Sequence, residues 1–299
     1  MNENKIEEAL QNVKKVFSKN DTKIGILYSG GKDSTAVLLT IAKEFPDAEL
    51  YLYALNNGCM YPEQIKNKVK EKIELFVSKG LVKNKITAIY FDVREIMAFL
   101  GFRSFHDDMH KYPTGLLCCS CKLIMHFTTA KYSSSIGVSK IADGYSFFER
   151  FLPEQLPEFR SVIFDPIVDK YGVEVVSPLY NVFDAVDVPM NIIKGFGLDP
   201  DIFLGEKLGQ AICRLGLIYK IPYDVNDSDE PKNAFFNELK KAVLDYTTNK
   251  LQIISDKKKE KVKRHDSYGN EYFEEISYDH IIDKIIDKII ANKETFFEN

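Results

Sequence analysis

The sequence predicts an α/β fold: a twisted, mostly parallel sheet with helices on both faces, followed by a helical C-terminal region. Three observations predict it. Short apolar runs alternate with segments of helical periodicity through the first 180 residues. The connections between those runs are long enough to be the crossovers that parallel pairing needs. From about Asn181 onward helical patterns take over, so two units are expected, 1–180 and 181–299.

Each element follows from its residues. Ile6, Leu10, Val13 and Phe17 recur at helical spacing ahead of the first strand, Lys23 to Tyr28, which is a short apolar run. Ser29, Gly30 and Gly31 end it, and Ser34 to Phe45 reads as a helix. Glu49 to Leu55 is the second strand. Pro62 suits the first turn of a helix whose apolar stripe is Ile65, Val69, Ile73 and Phe76. Ile86 to Phe91 is the third strand, Lys122 to Ile136 a helix, and Val138 to Ala142 and Val173 to Ser177 two further strands. Beyond them, Phe183 to Ile193, Phe203 to Leu217, Ala234 to Tyr246 and Ile281 to Ile290 carry helical patterns. The charge run Asp256 to His265 reads as a solvated helix face or loop, with an RNA contact as the other reading.

Composition narrows the function. With 299 residues, 45% apolar and 28% charged, the chain is globular rather than disordered. A net charge of -4 does not suit a dedicated nucleic-acid binder, so any RNA would be held by a local patch. The start MNENKIEEAL has no signal-peptide character and no run approaches a membrane span, so a cytoplasmic protein without a membrane partner is expected; a homodimer is compatible with the chain. Three of the five cysteines crowd into Cys118, Cys119 and Cys121, which points to metal binding or catalysis instead of a disulfide framework.

Ligands of parallel sheets bind at the carboxyl ends of the strands, where Ser29 to Ser34, Asn56 to Met60 and Asp143 to Tyr145 fall. The segment Ser29-Gly30-Gly31-Lys32-Asp33-Ser34 follows a strand and opens a helix. Its glycines let backbone approach a polyphosphate, and the helix start supplies amides and the positive end of a dipole. Lys32 adds a point charge, Ser29 and Ser34 offer hydroxyls, and Asp33 is placed to hold Mg2+. A tight strand-to-helix turn alone explains the glycines but not Lys32, Asp33 and the serines. The spacing fits neither the common triphosphatase loop nor a dinucleotide fingerprint.

The hexapeptide SGGKDS, between a strand and a helix, resembles the hallmark of the PP-loop ATP pyrophosphatases, a family with a Rossmann-like sheet. The resemblance covers roughly residues 20–180. It implies that ATP is split between its α- and β-phosphates, that the loop Ser29 to Ser34 holds the pyrophosphate part, and that a substrate oxygen is adenylated before a nucleophile displaces AMP. Asp33, Lys32 and Asp143 are the expected catalytic residues.

Cys118 and Cys121 have C-x-x-C spacing, and Cys213 stands far along the chain. That split arrangement is similar to the PP-loop tRNA thiolases of the two-thiocytidine type and related thiouracil desulfidases, in which three cysteines hold a 4Fe-4S cluster. Carried over, the ligands are Cys118, Cys121 and Cys213, and the activity is ATP-dependent sulfur transfer in tRNA processing or on a small heterocyclic substrate. The sulfur donor is open. Cys119 is an additional cysteine, so Cys119 with Cys121, or a redox couple, is the other reading of the group; Cys59 has no assigned role, and Ala142 to Tyr145 replaces the thiolases' strand-end pattern. Zinc is the alternative metal, with His126 or His110 as a fourth ligand. The rival functions are an amide- or nitrile-forming ligase similar to 7-cyano-7-deazaguanine synthase and a non-catalytic adenine-nucleotide-binding protein.

Some residues admit two readings. His126 is a site residue or a hydrogen-bonded structural histidine. Glu149, Glu154 and Gln155 read as an ordinary polar loop or as the wall of an acceptor pocket, and Phe147, Phe148 and Phe151 as a lid or as packing.

Overall fold

A computed structural model describes residues 2–59, 62–112, 116–150, 152–185, 187–203, 230–255, 259–265 and 271–299. The first helix, α1 (Asn2–Val16), precedes strand β1 (Lys23–Leu27), helix α2 (Lys32–Glu44), strand β2 (Glu49–Asn56), helix α3 (Pro62–Ser78) and strand β3 (Ile86–Asp92). Two short helices, α4 (Arg94–Met97) and α5 (Phe105–Lys111), flank a π-helical turn and lead to α6 (Leu117–Ser135). Strand β4 (Lys140–Ala142), helix α7 (Pro157–Tyr171), strand β5 (Glu174–Val176) and helix α8 (Val188–Gly195) follow. The remainder comprises α9 (Glu230–Ser255), the strands β6 (Lys259–His265) and β7 (Glu271–Ser277), α10 (Tyr278–Ala291) and β8 (Glu294–Glu298).

Six strands form one sheet in the order β5-β4-β1-β2-β3-β8. All neighbours pair parallel except β8, which runs antiparallel along β3. The predicted α/β architecture is the observed one. Alternation along the strands builds two cores. Ile24 and Ile26 of β1, Leu50, Leu52 and Ala54 of β2, and Ile86 and Ala88 of β3 face α1, α2, α3 and α8. Tyr53, Leu55, Ile89, Phe91 and Ile141 face the other way, toward α6, α7, α9 and α10. Gly25 makes this possible at one point, because a Cβ there would stand 2.8 Å from the Tyr53 ring. The freed space lets the Tyr53 hydroxyl reach Ser133 Oγ on α6 at 2.7 Å.

The C-terminal part differs from the helical expectation in two places. The charge run read as a helix face or loop forms β6 from Lys259 on, paired antiparallel with β7. The last strand returns to the main sheet, where the Asn299 side chain accepts from the Ile86 amide at 2.6 Å. The helix expected from Phe203 to Leu217 lies outside the described residues beyond Phe203, and Cys213 with it. Among the described residues no helix is long and apolar enough to cross a membrane.

Candidate active site

The sheet order fixes where a ligand can sit. From β1 the chain moves outward to β2 and β3, then crosses back to place β4 on the other side of β1, so the crevice opens at the carboxyl ends of β1 and β4. A cavity of about 350 Å³ lies there, a volume typical of small-molecule sites. Ser29, Asp33 and Ser34 line it on one side, Cys118, Cys121 and Lys122 on another, and Asn57, Asp143, Gly144, Glu149, Glu154 and Gln155 line it too, with apolar side chains such as Leu55 and Met125 between them.

The glycine loop is held by its own side chains. Gly30 takes φ 75°, a conformation that suits glycine. The Gly31 amide donates to Ser29 Oγ at 3.2 Å, Ser34 Oγ donates to the Gly31 carbonyl at 3.2 Å, and the two serine hydroxyls are 3.3 Å apart. Gly31 caps α2 without a side-chain hydrogen bond, so amides at the helix start remain for an incoming anion. Lys32 does not line the cavity; its ammonium pairs with Asp33 Oδ1 at 3.1 Å.

The cysteines are not in a loop ahead of a helix, as the sequence suggested, but in the first turn of α6 itself. That change sets which of them face the cavity. Residues three apart share a helix face, so Cys118 and Cys121 both reach the cavity, while Cys119 is 1% exposed and packs into the core. Burial pushes the Cys119 thiol well above its ordinary pKa, which makes it a poor nucleophile. Asn57, just past β2, donates from Nδ2 to Cys121 Sγ at 3.2 Å, and its Oδ1 accepts the Cys59 amide at 2.9 Å. Among the described residues no three His, Cys, Asp or Glu side chains stand ready to hold a metal.

Asp143 ends β4 at the cavity and is fixed from three sides. Ser177 Oγ donates to its Oδ1 at 2.5 Å, the Tyr145 amide donates to the same oxygen at 3.2 Å, and His126 Nε2 donates to Oδ2 at 3.4 Å. Burial raises the Asp143 pKa, with Arg160 and the Ser177 bond opposing. His126 is buried, and that burial, with Lys122 and Arg160 adding to it, lowers its pKa to about 3, so the imidazole is neutral. It stands behind Asp143, stacked on Tyr145 and Phe164, and does not line the cavity. His110, the other candidate ligand, lies on α5 with its Nε2 3.3 Å from His106 Nε2.

The loop read chiefly as ordinary polar surface is part of the wall. Burial raises the pKa of Glu149, with the nearby Asp33 charge adding to it, and burial raises that of Glu154. Phe147 and Phe148 are partly exposed at 37% and 36%, and Arg150 lies over the Phe147 ring at 4.3 Å. Phe151 falls outside the described residues.

Sequence reasoning put Asn57 at the ligand-binding edge, within Asn56 to Met60, but gave it no contact with a cysteine. It missed Lys72, which is fully buried beneath the loop and donates from Nζ to the Gly30 carbonyl. Its signal was present: Lys72 stands three residues after Val69 and four before Phe76, on the apolar stripe of α3.

The chain resembles the PP-loop ATP pyrophosphatases. The hallmark hexapeptide sits between β1 and α2 at the sheet's crevice, as that resemblance implies. No protein-family model and no curated protein matches the chain. Among solved structures it is similar to the U34-tRNA thiolase NcsA from Methanococcus maripaludis with its 4Fe-4S cluster, at 13% identity and a TM-score of 0.41, over 97% of this chain and 81% of that one. It is also similar to a 4-thiouridine synthetase in an RNA complex with bound ATP, at 14% identity and a TM-score of 0.49, over 86% of this chain and 55% of that one.

Proposed function

We propose that the chain is an ATP-dependent sulfurtransferase that adenylates a heterocyclic carbonyl and releases pyrophosphate. One observation carries the reading: the phosphate-loop side chains Ser29, Asp33 and Ser34 and the thiols Cys118 and Cys121 line the same cavity. Adenylation and sulfur delivery need that closeness, because the activated carbon must meet its nucleophile without leaving the site.

In this reading the β- and γ-phosphates lie on the α2 amides and the two serine hydroxyls, with Asp33 and Asp143 as carboxylate ligands for Mg2+. The substrate oxygen attacks the α-phosphorus and its bond to the bridging oxygen breaks, so pyrophosphate leaves with the electron pair. The substrate's ring N–H proton is given up as the imidate ester forms. Hydrosulfide then adds to the carbon, AMP leaves with the C–O electron pair, and the hydrosulfide proton passes to the ring nitrogen, so that a thiocarbonyl remains with its ring N–H restored.

Cys118 and Cys121, with Cys213, would hold a 4Fe-4S cluster. When bound, such a centre presents sulfide at an iron that no protein ligand occupies. Asn57 would donate to the Cys121 sulfur and steady it. The buried, neutral His126 keeps Asp143 oriented toward the cavity.

The test is product analysis with ATP labelled on the α-phosphate and, separately, on the γ-phosphate, using anaerobically purified protein. AMP with pyrophosphate supports the reading, and ADP as the main product overturns it. The acceptor, free or within tRNA, is separated by titrating tRNA at two salt concentrations against the parent and a variant with Lys259, Lys261, Lys263 and Arg264 changed to Gln. Binding that weakens with salt and with the substitutions assigns tRNA. Its absence assigns a small heterocycle.

A further inference from the structure

Lys72 is the residue that the proposed chemistry leaves without a task. It is fully buried on α3. On one side Nζ donates to the carbonyl of Gly30, the residue at φ 75° in the middle of the phosphate loop. On the other it stands 5.7 Å from the centroid of the Phe203 ring. The described charges that bear on it are Lys68, which disfavours its protonation, and Glu71, which favours it, both on its own helix. The loop offers it a carbonyl, and the segment Pro200–Phe203 offers it the ring of Phe203.

Among the described residues no carboxylate pairs with this amine, and a buried amine held by a carbonyl alone is costly to fold around, so a Met of similar length would fill the same space at less cost. Its place therefore asks for a use. The loop's own contacts are serine hydroxyls and backbone, all made from above, whereas Lys72 is the contact made from beneath. A Cβ at Gly30 would stand 2.7 Å from Nζ, so glycine and lysine fit one another.

We propose that Lys72 is a positioning residue for nucleotide binding: it fixes the Gly30 carbonyl from below, so that the loop amides face the cavity, and it places a positive charge behind the polyphosphate. This rests on the reading of the loop as an ATP site. Burial lowers the Lys72 pKa to about 7, so the amine is largely neutral in the nucleotide-free protein above that pH. A polyanion in front of it favours the charged form. Binding must then draw a proton onto Nζ near about pH 8 and much less near about pH 6, and the loss of that uptake in Lys72→Met separates Nζ from the carboxylates and thiols of the cavity.

The experiment is calorimetric titration of the full chain with Mg2+ and α,β-methylene ATP, which cannot be split at the bond in question, in two buffers of different ionisation enthalpy. Wild type is expected to take up close to one proton per nucleotide at the higher pH. Lys72→Met is expected to melt at the same or a higher temperature, to bind about tenfold or more weakly, and to show no uptake. A role in folding alone would lower the melting temperature and leave uptake unchanged. Equal affinity and equal uptake in Lys72→Met overturn the proposal and leave the ATP site standing; no binding by wild type overturns both. If Lys72→Met does not fold, the wild-type titration decides, and absent uptake at the higher pH overturns the proposal.

Discussion

Gly144, two residues past β4, approaches the start of α2 so closely that a Cβ on it would stand 2.9 Å from the Ser34 backbone nitrogen. The contact is with backbone, which cannot swing aside as a side chain could. Gly144→Ala is therefore expected to push the phosphate loop away from β4, costing about 1–3 kcal/mol of stability and weakening nucleotide affinity. Urea unfolding and a nucleotide titration check both parts. An unchanged affinity would show that the loop tolerates the displacement.

Asp33→Asn separates chemistry from folding. The side chain is at the cavity and partly exposed, so the core does not depend on it. Turnover of ATP should fall about 100-fold or more, since the carboxylate's proposed partner stabilises charge in the transition state. The melting temperature should stay near that of the parent.

The three neighbouring cysteines should respond differently. Cys119→Ala removes a buried side chain and is expected to cost about 1 kcal/mol while leaving sulfur transfer in place. Cys118→Ala and Cys121→Ala should abolish iron content and sulfur transfer, and should lower stability only by what the lost centre contributes, so that they match the parent once its iron is removed. Iron analysis after anaerobic preparation checks this, and stoichiometric zinc without iron would assign the other metal.

His126 gives the fold a pH dependence of known sign. Its folded pKa of about 3 lies below the ordinary histidine value, so the unfolded chain binds the extra proton in the window between them. Stability is then whole above the ordinary value and is lost as pH falls, at up to about 1.4 kcal/mol per pH unit. His126→Gln should flatten this term. Denaturant midpoints for both proteins at neutral and mildly acidic pH test it.

Much of this site was legible from residue order, because its parts follow local rules. Two glycines with flanking serines between an apolar run and a helix can hardly be anything but a loop at a sheet edge, and the i, i+3 spacing of Cys118 and Cys121 survived the shift from loop to helix. Cys119 shows why neighbours in sequence are not neighbours in space. What escaped depended on packing between distant segments. Lys72 sits among Lys66, Lys68 and Lys70, and only the phase of α3 beneath the loop separates it from these. Asn57 meets Cys121 only because β2 and α6 converge. The pairing of β6 with β7 was hidden by charges that look like a solvated surface.

Two helices, α2 and α6, begin at the same cavity, and neither start is capped by a side chain. Their dipoles therefore add there instead of cancelling. A field that draws a polyanion in also holds back whichever anion is left after reaction. On the proposed chemistry two anions leave, and the one bound at the α2 end departs against the pull of both helices. On that chemistry product escape is expected to pace turnover, pyrophosphate to compete with ATP for the same amides, and added salt to speed the cycle even as it weakens substrate capture.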